Sequence, residues 1–244
     1  MGALDIQPQQ RARPLRPVPL AALLTGVMLL AGCGGGNKHA RVRVPPPPPT
    51  SAETFNLPAN AKPLYVETGW ASWYGPPYNN RKAANGEVYD MNAPTAAHRT
   101  LPLGSIVRVT NLSTGQRTLV RINDRGPFVA GRIIDLSLAA ASEIGVRRAG
   151  VARVKVEVMR APSPLDSGGR WAVQIGALED EEVAAQLKGK LARRYRTAKV
   201  LSFPSPTGDW WVRVRVLNDD RKRAQEVARN THPPQGNAYL VRLD

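Results

Sequence analysis

Residues 121–137 read "RINDRGPFVAGRIIDLS". The first four residues continue the alternation of the preceding "RTLV" and so predict the end of a strand. Asp-Arg-Gly-Pro then turns the chain, and "RIID" leads to a second aspartate, Asp135, ahead of an apolar, helix-like run. Asp124 shares its strand parity with Val120 and Ile122, so it points either to the apolar interior or, at the strand end, into a cleft. A lone buried carboxylate is costly unless it is paired or protonated, which favours the cleft.

The surrounding segments have the same texture. "SIVRVTN" (105–111), "RTLVRIND" (117–124) after the turn "STGQ", and "VARVKVEV" (151–158) alternate and are broken by Gly, Pro and Asn. In the last of these, Val154, Val156 and Val158 share one face while Arg153, Lys155 and Glu157 share the other, as expected of half-buried strands in a small barrel or sandwich over residues 69–160. Asp135 is placed to cap one helix, "LSLAAASEIG", which Gly145 would stop.

After the linker-like "APSPLDSGG" (161–169), residues 170–244 alternate strand and helix patterns: "RWAVQIGAL", "DEEVAAQLKGKLARRYR", "AKVLSF", "WWVRVRV", "DRKRAQEVARN" and "NAYLVRL". In the first helix Val183, Leu187, Leu191 and Tyr195 recur at i+4 spacing. The order predicts a small βαββαβ domain with both helices on one face of its sheet. Val212, Val214 and Val216 form the core face of the third strand, which leaves Trp211, Arg213 and Arg215 on an open face.

The N-terminus sets the compartment. Arg11, Arg13 and Arg16 precede the short apolar run "VPLAALLTGVMLL" (18–30), and "LAGC" ends on Cys33, the only cysteine. This resembles a bacterial lipoprotein signal, with residues 1–32 removed and a lipid on Cys33 holding the chain to a membrane. Lipidation would consume the sole thiol, so no disulfide is expected. Gly34 stands where an aspartate retains some lipoproteins at the inner membrane, which points to the outer membrane. Residues 33–68, with five consecutive prolines, read as a flexible tether.

Net charge is +15, from 34 Lys+Arg against 19 Asp+Glu. Without residues 1–32 there remain 31 basic and 18 acidic residues, or +13, so a polyanionic partner is expected of the mature chain. Export excludes nucleic acid. No metal or cofactor constellation is visible, because His39, His98 and His232 lie in three different regions.

Read singly, the polar residues of the first domain have ordinary roles: Glu87 and Asp90 in "ANGEVYD" suit turns, and His98 suits a hydrogen-bonded core position. Taken together, "GWASWYG", "AANGEVYDM", "TAAHRTLPLGS", "VRINDRGPF" and "RIIDLSLAAA" resemble the rare lipoprotein A family, in the same order and over nearly all of residues 69–158. The resemblance implies a mainly β fold, the six-stranded double-psi β-barrel, followed here by an α+β domain. It also implies a septal-ring lytic transglycosylase activity, which cuts peptidoglycan between N-acetylmuramic acid and N-acetylglucosamine and leaves a 1,6-anhydro end. Carried over by position, Asp124 is the acid/base, Glu87 a second carboxylate that keeps Asp124 protonated or stabilises positive charge, and His98 an orienting residue. Asp135 occupies the place of the catalytic aspartate of expansin-type barrels, alongside its reading as a helix cap. Ala83 and Asn80 depart from the threonine and glycine common in the family.

Residues 170–244 resemble the SPOR (sporulation-related repeat) domain, which binds denuded glycan at division sites. That implies a glycan-binding face of Gln174, Trp211, Arg213 and Tyr239, where aromatic rings beside an arginine suit sugars that carry carboxylates. Residues 70–160 hold 13 basic and six acidic residues, or +7, and peptide-stripped muramic acid exposes a lactyl carboxylate, so denuded strands are the expected substrate. The alternative is a non-catalytic wall-binding lipoprotein that keeps the same groove.

Overall fold

The computed structural model describes residue 55, residues 57 and 58, and residues 60–244 apart from residue 206. The signal segment 1–32, Cys33 and His39 lie outside the described residues.

Six strands close into a barrel: β1 (Tyr65–Trp73), β2 (Thr95–His98), β3 (Ile106–Asn111), β4 (Arg117–Asp124), β5 (Arg132–Leu136) and β6 (Ala152–Arg160). Their hydrogen-bonded order is β1-β5-β2-β4-β3-β6, and closure leaves no free edge. The pairs β1/β5 and β2/β4 are parallel and the rest antiparallel, the pseudosymmetric arrangement of the double-psi β-barrel. Alternation fills the interior: Val107, Val109, Val120, Ile122, Ile134, Val154, Val156 and Val158 are all within about one per cent of full burial. Each such side chain contributes roughly 1.5–3 kcal/mol. On the outer face Arg108 of β3 stands directly across from Glu157 of β6, and its Nε and Nη2 donate to the two carboxylate oxygens, both at 3.0 Å.

Two expectations are corrected here. Residues 65–68, read as tether, form the start of β1, because Tyr65 to Thr68 pair in register with Val158 to Lys155 of β6. The helix after β5, α1 (Leu138–Glu143), is capped by Ser137, whose hydroxyl accepts the Ala140 N–H; Asp135 is still within β5 and takes other partners. Gly145, at φ +74, lets the chain leave α1 before the short α2 (Val146–Ala149).

The second sheet contains β7 (Trp171–Leu178), β8 (Lys199–Pro204), β9 (Trp210–Arg215) and β10 (Asn237–Arg242) in the order β10-β7-β9-β8. Helices α3 (Glu181–Arg194) and α4 (Arg221–Arg229) begin at Asp180 and Asp220, whose carboxylates accept the Val183 and Arg223 N–H groups. Leu187, Leu191, Ala224 and Val227 bury the helices' apolar stripes against Trp171, Val173, Ile175, Val212 and Val214. The opposite face of the sheet is only partly open. Phe128, in the loop after β4, meets Trp211 edge-on at 4.5 Å between ring centroids and Tyr239 at 5.8 Å, while the Arg99 guanidinium lies 5.3 Å from the Tyr239 ring centre. The expectation of an open row is therefore corrected in part: Trp211 and Tyr239 are half-buried where Phe128 of the barrel covers them, while Arg215 keeps 34% of its side chain exposed.

The segment joining the domains is tied down as well. Arg242, almost fully buried, donates to the Pro164 carbonyl (2.8 Å), Ser163 Oγ (3.0 Å) and the Asp244 carboxylate. The Arg242 and Leu103 N–H groups donate across to the carbonyls of Arg99 and Asp244.

Candidate active site

Between the loop after β4 and the second sheet lies a cleft of about 450 Å³. Its barrel wall includes Tyr74, Tyr78, Tyr89, Asp124, Arg125, Arg132 and Asp135; its sheet wall includes Gln174, Phe203, Trp211 and Arg213.

Asp124 ends β4 where the β2/β4 register slips between Ala96 and Ala97, and this irregularity turns its side chain out of the apolar interior. The Ala84 N–H (2.9 Å) and its neighbour Arg125 N–H (2.8 Å) both donate to Oδ1. Oδ2 is then the oxygen available to a ligand. Loss of hydration pushes the Asp124 carboxyl above its ordinary range and outweighs the two N–H donors and Arg125, which pull it down; Asp135 adds a further push upward.

Asp135 is the second carboxyl of the cleft. Ser72 Oγ donates to its Oδ1 (2.8 Å) and Arg132 Nη2 to its Oδ2 (3.0 Å), and burial still holds its pKa above the usual carboxylate value.

Glu87 does not line the cleft. Its carboxylate sits half-exposed in a fork with Arg121, at 3.0 and 2.9 Å, which lowers its pKa. The expected role of keeping Asp124 protonated by repulsion is thus corrected to Asp135. Glu87 acts one step away, for its pairing with Arg121 and the Asn85 N–H bond to the Asn123 carbonyl (3.1 Å) pin residues 84–87 onto β4, where the Ala84 N–H reaches Asp124.

His98 is buried and also absent from the cleft lining. Its Nδ1 accepts the Thr100 and Leu101 N–H groups (3.2 and 3.0 Å), so Nε2 carries the proton and donates to Glu67 Oε1 at 2.6 Å. Burial lowers its pKa, and it remains a neutral brace. Of the two partners expected for this orienting residue, a carboxylate or the sugar, the structure gives it a carboxylate, that of Glu67, and its Nδ1 holds residues 98–101. Two carbonyls of that segment, those of His98 and Leu101, accept from Arg125 Nη1 (2.9 and 2.7 Å). Arg125 is therefore spent on carbonyl groups.

Of the four residues expected on the sheet, Gln174 is buried with its Oε1 accepting from Arg213 Nε (2.8 Å), while Trp211 and Tyr239 rest on Phe128. Sequence reading missed the tyrosines. Tyr74 packs against Tyr78 and Tyr89 at 5.8 and 4.4 Å, a wall suited to sugar rings, and the signal for it lay in "WYGPPY" and "VYD". Among the described residues no group of three or more His, Cys, Asp or Glu side chains could hold a metal ion.

The raised carboxyl carries a stability signature. A folded-state pKa above the unfolded one means that Asp124 costs stability once the pH exceeds both, and nothing below both. Asp124→Asn keeps an oxygen for the two N–H donors and needs no ionisation. It is expected to raise Tm at about pH 8 by roughly 2–4 °C, the scale of a change near 1 kcal/mol in a chain of this size. The gain should vanish by about pH 4; a gain that is independent of pH would contradict the desolvated site.

The closed six-stranded barrel, with two buried carboxyls in a cleft beside an appended α/β domain, defines a double-psi β-barrel protein. The family model described as "Lytic transglycolase" matches residues 66–156, and the SPOR domain model matches residues 167–242. The chain belongs to the RlpA family: it is 35% identical over 228 residues to the endolytic peptidoglycan transglycosylase RlpA of Campylobacter jejuni, across 75% of this chain and 82% of that protein. It is 48% identical over 130 residues to the RlpA of Vibrio cholerae, across 53% of this chain and 46% of that one. It is 55% identical over 127 residues to the RlpA of Pseudomonas aeruginosa strain PAO1, across 52% and 37%. The chain thus spans less than half the length of these last two relatives.

Proposed function

We propose that this chain is an endolytic lytic transglycosylase of peptidoglycan that acts on peptide-stripped glycan at the division septum, held to the outer membrane by a lipid on Cys33. The observation that supports it most is Asp124: a carboxyl whose raised pKa favours the protonated form, with one oxygen engaged by backbone N–H groups and the other available beside an aromatic wall. In its acid form it donates a proton to the oxygen leaving C1 of N-acetylmuramic acid, and the C1–O bond breaks. Positive charge develops on the sugar ring, which Asp135 is placed to stabilise as a carboxylate. The sugar's own C6 hydroxyl then bonds to C1 and returns its proton to Asp124, closing the 1,6-anhydro ring. No water is consumed, so one carboxyl serves as acid and then as base.

The test is digestion of peptide-stripped and intact sacculi by residues 34–244, with products read by mass. Anhydro-ended chains from the stripped material are expected. Reducing ends would mean hydrolysis, and no cleavage in either case would mean a non-catalytic binding protein. Equal cutting of stripped and intact sacculi would remove the substrate preference. Septal and outer-membrane placement is read by imaging and fractionation of the chain and of Cys33→Ala.

Glu87→Ala tests the positioning of the acid. The exposed Glu87/Arg121 pair is worth no more than about 1 kcal/mol, so Tm should barely move. Release of the Ala84 loop should nevertheless lower kcat about tenfold and raise the Asp124 pKa, as followed by carboxyl NMR. An unchanged Asp124 titration would show that the loop does not depend on Glu87.

A further inference from the structure

On the helix side of the C-terminal sheet, α3 and the loop between α4 and β10 enclose a second cavity, of about 500 Å³. It shares no lining residue with the cleft that holds Asp124. Its floor is aliphatic: Val183, Leu187 and Leu191 recur at every fourth residue and so lie along one side of α3. From Val183 to Arg194 a helix rises about 16 Å, so the cavity is a groove about as long as five extended residues. Both of its ends are braced. At one, Gln235 Oε1 accepts the Glu179 N–H (3.0 Å) and Gln235 Nε2 donates to the Glu179 carboxylate (3.3 Å); at the other, Arg194 Nη1 donates to the Asn230 carbonyl (3.2 Å). The groove is therefore formed before anything enters it, which spares a ligand the cost of ordering the loop.

The polar groups around that floor are one-sided. Lys190 and Arg194 stand at the end near the last turn of α3, His232 adds an imidazole from the loop, and no Asp or Glu lines the groove. All three are exposed, and among the described residues none is paired with a carboxylate. Thr231 gives a second, independent sign. It lines the groove, is only 7% exposed, and its buried Oγ1 has no hydrogen-bond partner among the described residues. A buried hydroxyl left unpaired is costly unless something supplies the partner. Neither Phe, Tyr nor Trp lines the groove, so it offers no ring for a sugar to stack on.

We propose that this groove docks an extended, acidic and aliphatic segment of a partner protein. Aliphatic side chains of the segment cover Leu187 and Leu191, its carboxylates meet Lys190 and Arg194, and one of its backbone carbonyls accepts from Thr231 Oγ1. An acyl chain would also follow the aliphatic floor, but it has no acceptor for Thr231, whereas a peptide offers a carbonyl at every residue. Because the groove and the Asp124 cleft are lined by separate residues, the chain can hold this partner while glycan occupies the cleft.

Two blocked pentapeptides, acetyl-Asp-Glu-Leu-Ala-Leu-amide and acetyl-Leu-Ala-Leu-Glu-Asp-amide, present the pattern in both chain directions. Each is titrated into residues 34–244 and followed by amide NMR at about 0.15 M salt, where screening confines charge effects to about 8 Å. At least one should bind, with shifts centred on residues 183–194 and 231–235. Replacing its acids by Asn and Gln, or its leucines by Ser, should weaken it about tenfold. Lys190→Glu with Arg194→Glu should do the same, whereas Lys188→Glu with Arg193→Glu, on α3 but outside the groove, should change binding less than about twofold. Thr231→Val should weaken binding about threefold or more and yet leave Tm equal or higher, because it removes the unpaired hydroxyl. Binding by neither peptide, equal loss from both pairs of reversals, or shifts centred on the Asp124 cleft would each overturn the proposal. Phosphatidylglycerol vesicles are the rival probe: attachment that Lys190→Glu with Arg194→Glu removes, without peptide binding, would assign the groove to a membrane surface instead. Should a reversed variant misfold, the charged and uncharged peptides still decide in the parent chain, where equal affinity overturns the proposal.

Discussion

Asp124→Asn should lower anhydro-product release by about 10³-fold, within the range that a positioned general acid contributes. The amide keeps an oxygen where Ala84 and Arg125 donate, so the cleft retains its shape, yet it can neither give nor take the proton that the proposed reaction assigns to this side chain. The combination is diagnostic, because the same variant is expected to melt higher at alkaline pH, so lost activity cannot be ascribed to lost fold. The pH profile should follow. With its carboxyl raised by burial, Asp124 keeps the acid form above the usual carboxylate range, and the rate falls as pH rises through that raised value. A loss below tenfold, or an alkaline limb that survives in the variant, would remove Asp124 from the chemistry.

Arg125→Met is expected to cost about 3 kcal/mol of stability. Arg125 donates to the His98 and Leu101 carbonyls and, with Nη2, to the Asp244 carbonyl at 2.7 Å, so one guanidinium ties the barrel to the segment that follows β10. Burial lowers its pKa to about 10, which still leaves it charged at neutral pH. Methionine fills much of the space but satisfies none of the carbonyls, and unpaired buried acceptors carry most of the cost. Calorimetry should then resolve separate transitions for the barrel and the C-terminal domain. The Asp124 pKa should rise further, because a cation that pulls it down is gone, and the pH profile for activity should move in the alkaline direction. Unchanged cooperativity of unfolding would show that the domains are joined by other contacts.

Much of this molecule was legible in the residues alone. Alternation at Val154, Val156 and Val158 and at Val212, Val214 and Val216 identified core faces, because a strand's period of two depends on the backbone and on no partner. The parity of Asp124 with Ile122 likewise marked a carboxyl that could not lie on the outer surface.

What failed to be legible depended on residues far apart in the chain. Asp135 looked like a helix cap until Ser72, 63 positions away, and Arg132 engaged it within β5. Glu87 looked like the partner of Asp124 until Arg121, 34 positions away, took its carboxylate. Trp211 and Tyr239 on the second sheet looked solvent-facing until Phe128 closed over them. Local pattern determines which way a side chain leaves the backbone, since that is a matter of dihedral angles. Tertiary packing alone decides what it meets there, because charge pairing and burial depend on which distant segment comes within a few ångströms.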